Sequence, residues 1–165
     1  MMHGRSGFTL IELIVVLVII SVVMGIASPQ LSRFYKGIKL DTTARRLKAM
    51  LIYARTVAVL EKNICRVRIG PSWKKITLSV RDKKSYLPVR KPIGRLVMPK
   101  GIKIIRLTVN QKYITPQTQV QWEIMPLVCP YEVCLWLATE DEEDKTKVIL
   151  RGGSGLVTIR GQKDG

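Results

Sequence analysis

Histidine is almost missing from this chain of 165 residues: the single one is His3, at the extreme N-terminus. Cysteine is scarce too, with only Cys65, Cys129 and Cys134. A four-ligand zinc site is therefore not expected. No Gly-x-Ser-x-Gly nucleophile motif is present. Gly152-Gly153-Ser154-Gly155 lacks the Gly-Lys-Ser/Thr ending of a phosphate loop and opens onto a strand pattern, so it reads as a hairpin turn. Carboxylates are few, and five of the 12 lie side by side in Glu140-Asp141-Glu142-Glu143-Asp144. Consecutive like charges favour a solvated loop, and they lack the spaced ligand geometry of a calcium loop. The expectation is a chain that is no enzyme, with no cofactor and no metal.

Acidic charge is what the rest of the chain lacks most. Lys and Arg number 28 against those 12 carboxylates, a formal charge of +16. Before Arg33 the only charged residues are Arg5 and Glu12, which cancel, so the whole excess sits on residues 33–165. Such a surface calls for an anionic partner: nucleic acid, an acidic lipid surface or a negatively charged protein. A basic, lysine-rich proteome would give the same composition.

One long apolar run is present. From Phe8 to Ala27 the only ionisable side chain is Glu12, and Leu, Ile and Val dominate. About 20 residues rising about 1.5 Å each span a hydrocarbon core of roughly 30 Å, so residues 8–28 are assigned to a membrane helix. The small-residue cleavage site of a secretory signal would follow the apolar stretch, whereas here the short polar stub precedes it. Glu12 costs about 2.5–3.5 kcal/mol at a membrane centre and somewhat less near an end, which marks it as functional.

Gly7-Phe8-Thr9-Leu10-Ile11-Glu12 resembles the processing site of type IV pilins and type II secretion pseudopilins. The resemblance implies that residues 1–7 are a leader and that a membrane-embedded prepilin peptidase cuts after Gly7. The same enzyme would N-methylate Phe8. It implies that Glu12 pairs with the amino terminus of a neighbouring subunit, a desolvated ion pair that is favourable only when both charges meet. Basic residues are denser beyond the run than before it, which by charge counting alone would put the N-terminus outside. A large downstream domain translocates largely regardless of charge, and the processing motif requires a cytoplasmic N-terminus. The chain is thus expected to cross the bacterial inner membrane once, with a periplasmic C-terminal domain.

Residues 29–62 continue as helix beyond Pro29, where many pilins bend. Leu40, Ala44, Leu47, Leu51, Ala54 and Ala58 recur at steps of four and three, an amphipathic stripe expected to pack on a sheet. Ala54-Arg55-Thr56-Val57-Ala58 is similar, in part, to the stretch ending this helix in H-type minor pseudopilins and FimT/FimU-like minor pilins. From residue 63 the period becomes two. Cys65–Ile69 and Ile76–Val80 form a hairpin around Gly70-Pro71-Ser72, and residues 82–95, basic and broken by prolines, read as an exposed loop. Further strands are expected at Ile102–Val109, Val120–Ile124, Val133–Thr139, Lys147–Arg151 and Leu156–Arg160. The fold class is α+β: a long N-terminal helix on an antiparallel β head over 63–165, folded as one sheet or two.

Outside the cytoplasm Cys129 and Cys134 are expected to form a disulfide, or to be two thiols in a reducing compartment, with Cys65 a buried small hydrophobe. The resemblance implies a minor structural subunit whose partners are the major pseudopilin, the other minor pseudopilins and the prepilin peptidase. A FimT/FimU-like DNA-binding pilin is the alternative, with Arg151, Arg160 and Lys163 contacting phosphates. Against it, Arg160-Gly161-Gln162-Lys163-Asp164-Gly165 lacks the Gly-Arg-x-Arg pattern of those proteins.

Overall fold

A computed structural model describes residues 9–163, without the side chains of 26–30, 32, 33, 162 and 163. The chain divides into two compact units, Met1–Tyr35 and Lys36–Gly165, to both of which the helix α1 (Leu10–Leu60) contributes.

In the first unit Thr9 begins the helix. Its carbonyl accepts from the Glu12 and Leu13 N–H groups at 3.1 and 3.2 Å, and its hydroxyl accepts from Glu12 N–H at 3.4 Å. A threonine followed three residues later by glutamate is the capping-box pattern, which satisfies amide donors that the first turn leaves without partners. From Leu10 to Gly25 every side chain is exposed. Ser21 turns its hydroxyl onto the Leu17 carbonyl at 2.8 Å, so the helix internalises that polar group. Among the described residues no helix is long and apolar enough to cross a membrane. The expected span, 8–28, extends past the described side chains at both ends.

The second unit is α+β, with two five-stranded sheets. The first has the order β3 (Ser85–Pro88), β2 (Lys75–Asp82), β1 (Cys65–Ile69), β7 (Val120–Ile124), and β4 (Arg95–Val97) also pairs with β2. The second runs β10 (Val157–Lys163), β9 (Asp144–Leu150), β8 (Val133–Thr139), β5 (Ile102–Val109), β6 (Lys112–Tyr113). Every pairing is antiparallel. The helical stripe lands as expected: Leu40, Ala44, Leu47, Leu51, Ala54 and Ala58 are buried in one core with Val67, Ile76, Trp122, Leu135 and Leu150. Burial of the leucine, isoleucine and valine side chains is worth about 1.5–3 kcal/mol each, which is the main force holding helix to sheets.

Two regions differ most from expectation. Residues 82–95 are not simply a loop: β3 pairs with β2 (Val80 opposite Leu87), and a 3-10 turn at Pro92–Gly94 leads into β4. Prolines closed this region to a sequence reading, yet Pro88 lies at the end of an edge strand, where a missing N–H is tolerated. The acidic run is a turn only over 140–143, and Asp144 already begins β9.

Candidate functional site

Of the residues implicated in processing and assembly, Gly7 and Phe8 lie outside the described residues. Glu12 occupies the third position of the helix, one turn from its N-terminus. A carboxylate there faces the positive end of the helix dipole, worth typically 0.3–1 kcal/mol. The capping role of Thr9 was missed in the sequence, although Thr9-Leu10-Ile11-Glu12 spells it out.

Arg55 holds the far end of the same helix to two loops. Its guanidinium donates to the carbonyls of Met125 and Pro126 at 2.9 and 3.2 Å. A Cβ on Gly155 would fall 2.9 Å from Arg55 Nε. The turn read at 152–155 is present, with Gly153 and Gly155 at φ +74° and +66°, conformations that glycine adopts without strain. Arg55 therefore acts as a strut between α1 and the loops before β8 and before β10.

The expected Cys129–Cys134 bridge is not formed: all three cysteines are free and buried. The reason is parity. Cys129 belongs to the core and donates its thiol to the Tyr131 carbonyl at 3.4 Å. On β8 the core takes Val133, Leu135 and Leu137, so Cys134 points to the opposite face. Cys65 is buried as expected, and burial beside Glu61 pushes its thiol up to about 11. Burial also raises Cys129.

The proposed phosphate contacts are not brought together. Arg160 pairs with Lys147 across β9–β10. Arg151 lies four residues beyond Lys147, about 13 Å along the strand direction at about 3.3 Å per residue. The backbone of Lys163 pairs with Asp144, and its side chain is outside the described set. Arg160 has other company. The register aligns Arg106, Trp136, Lys147 and Arg160 in one row across β5, β8, β9 and β10. Period-two alternation, with every second residue in the core, would have flagged β8 and β9, but the pairing order could not be read from the sequence.

On the other sheet Arg66 stacks its guanidinium 3.4 Å from the Tyr86 ring centroid, and Glu123 accepts from Arg66 at 2.8 Å and from the Tyr86 hydroxyl at 2.7 Å. These bonds hold the Glu123 carboxyl below the usual carboxylate range. Tyr86 is raised, first by burial and then by the same bond. The triad clamps β1, β3 and β7 together and offers no reacting group. Among the described residues no group of His, Cys, Asp and Glu is arranged to hold a metal.

Residues 2–28 match the family model of the prokaryotic N-terminal methylation motif. Over 95 residues the chain is 34% identical to the type II secretion system protein H of Pseudomonas aeruginosa, covering 58% of this chain and 55% of the relative. It thus spans about half the length of that curated relative. The minor pseudopilin EpsH from the type 2 secretion system of Vibrio cholerae superposes with a TM-score of 0.57 at 13% identity, over 74% of this chain and 97% of EpsH. The solution structure of GspH from E. coli superposes with a TM-score of 0.52 at 13% identity, over 78% of this chain and 92% of GspH. The α+β architecture is therefore theirs: this chain joins the prokaryotic N-terminal methylation motif to a head with the fold of the H-type minor pseudopilins.

Proposed function

We propose that this chain is an H-type minor pseudopilin, a structural subunit of a type II secretion pseudopilus rather than an enzyme. The observation that carries the reading is the conjunction of a methylation motif over residues 2–28 with an H-type head fold in one chain. The chain is inserted in the inner membrane with its head in the periplasm, cut after Gly7 and methylated on Phe8. It is then drawn into a short filament with the major pseudopilin and its fellow minor subunits.

Each part has a physical task. Thr9 fixes the start of the helix one residue after the new terminus. Glu12, one turn in, offers a carboxylate at a depth where an unpaired charge is costly, so it selects a subunit register that brings a neighbour's Phe8 amine to it. The apolar side chains exposed from Leu10 to Met24 are free to face lipid before extraction and other helices afterwards. The buried stripe from Leu40 to Ala58 keeps the head attached to that helix.

The test is processing in a cell that carries the prepilin peptidase. Mass spectrometry of the membrane-extracted chain should find methylated Phe8 as its first residue, and Gly7→Ala should accumulate the uncut form. Glu12→Ala should be cut normally yet fail to enter cross-linked assemblies. A mature chain that starts elsewhere, or normal cutting of Gly7→Ala, would sink the reading.

A further inference from the structure

We infer that the outward face of the β10-β9-β8-β5 sheet is a binding surface for single-stranded nucleic acid, centred on Trp136. The row Arg106–Trp136–Lys147–Arg160 crosses four adjacent strands, about 14 Å at about 4.8 Å per strand. It lies on the face away from the core, because the residues between these positions, Leu135, Leu137 and Val148, are the ones buried inside. A register shift on β5 between Ile104 and Arg106 inserts an extra residue and brings Arg106 opposite Trp136.

Trp136 organises the cations around it. Lys147 Nζ stands 4.4 Å and Arg106 Cζ 5.3 Å from its ring centroid, within cation–π range. A guanidinium held by a ring keeps its edge N–H donors for an oxyanion and loses less freedom on binding. Trp136, Lys147 and Arg160 line a shallow groove of about 220 Å³ together with Gly161, which presents no side chain. Two carboxylates of the acidic turn are engaged elsewhere: Asp141 with Lys36 and Glu142 with Lys103 at 2.7 Å.

Charge and shape together choose the occupant. The chain's formal charge of +16 favours a polyanion. A basic track around an indole ring is how single strands are held, with phosphates on the cations and a base on the ring. An acidic peptide supplies carboxylates but no planar partner for the indole. A lipid surface would need protruding apolar side chains, whereas Cys134 and Thr108 beside the row are buried. This surface goes beyond assembly in a filament and needs neither Arg151 nor Lys163.

The experiment titrates the full chain, in an uncharged detergent, with a labelled single-stranded oligonucleotide while recording anisotropy and tryptophan emission. Trp73 and Trp122 are buried, so quenching on binding should come from Trp136 and vanish in Trp136→Phe. Three phosphate contacts on a single strand predict a slope of about −2 in log affinity against log salt. Lys147→Glu and Arg160→Glu should each weaken binding at least tenfold, with circular dichroism unchanged. Lys84→Glu, the same charge change on the β2–β3 turn, should weaken it by less than threefold. Trp136→Ala should cost about fivefold to a hundredfold. Binding without tryptophan quenching, equal loss in Lys84→Glu, or equal affinity for polyglutamate or heparin would overturn the proposal.

Discussion

The strut between α1 and its two loops can be tested by a double-mutant cycle on Arg55 and Gly155. Gly155→Ala does two things at once. It places a Cβ on a residue at φ +66°, which costs an L-residue about 1 kcal/mol. It also sets that Cβ 2.9 Å from Arg55 Nε and 3.1 Å from Cδ, so the guanidinium must move off the Met125 and Pro126 carbonyls. Those two charge-assisted bonds, on a half-exposed side chain, are worth together about 1–2 kcal/mol. Gly155→Ala should therefore destabilise by about 2–3 kcal/mol, and Arg55→Ala by about 1–2 kcal/mol. In the Arg55→Ala background the steric part disappears and Gly155→Ala should cost only the backbone term, about 1 kcal/mol. The double mutant falls short of the sum by about 1–2 kcal/mol, well outside the roughly 0.5 kcal/mol scatter of independent sites. Urea unfolding of the full chain in detergent, followed by the emission of buried Trp73 and Trp122, reads all four corners. Additivity within about 0.5 kcal/mol would mean that Arg55 does not brace the Gly155 turn.

The Arg66–Tyr86–Glu123 clamp should make the head acid-sensitive. Glu123 has a folded pKa below its unfolded value, so its contribution is fully present above the unfolded carboxylate range and is lost as pH falls through the folded one. Glu123→Gln should cost about 1–2 kcal/mol at pH 7 and flatten this part of the acid dependence in urea melts; an unchanged acid slope would refute the clamp. The buried thiols give a second check. With Cys65 pushed up to about 11 and all three cysteines buried, iodoacetamide near pH 8 should label the native chain far more slowly than the unfolded chain. A native mass lower by two hydrogens, with a peptide linking Cys129 to Cys134, would instead reveal their disulfide.

Local periodicity made much of the fold legible. Leu40 to Ala58 repeats at helical spacing and is buried; Cys65, Val67 and Ile69 alternate with Arg66 and Arg68, and the buried set faces the core. The positive-φ glycines of the 152–155 turn were legible because that sequence admits little else. The residues 85–97 were not, because β3 and β4 are short edge elements made stable by β2 rather than by their own propensity. Arg55 was noticed only by likeness. Its partners are main-chain carbonyls 70 and 71 residues away, which no side-chain pattern announces.

One physical rule places the residues of two site expectations. Cys129 and Cys134 were grouped as a disulfide, and Arg151, Arg160 and Lys163 as phosphate contacts near the C-terminus, whereas a sheet sorts side chains by parity and register. Parity puts Cys134 on the outward face with Trp136 while Cys129 stays in the core, so closeness in sequence becomes opposition in space. Register then carries Arg160 past Arg151 to Lys147, and through Lys147 to Trp136 and Arg106. The rule that sets Cys134 apart from Cys129 therefore also builds the cationic row. Both stand or fall with the pairing of β8 to β9. A one-residue slip there would turn Trp136 inward, bring Cys134 toward the core and scatter the basic side chains. Slow hydrogen exchange at the Leu135 and Leu137 amides, together with ready quenching of Trp136 emission by acrylamide, would verify that register. An acrylamide-inaccessible Trp136 would contradict it.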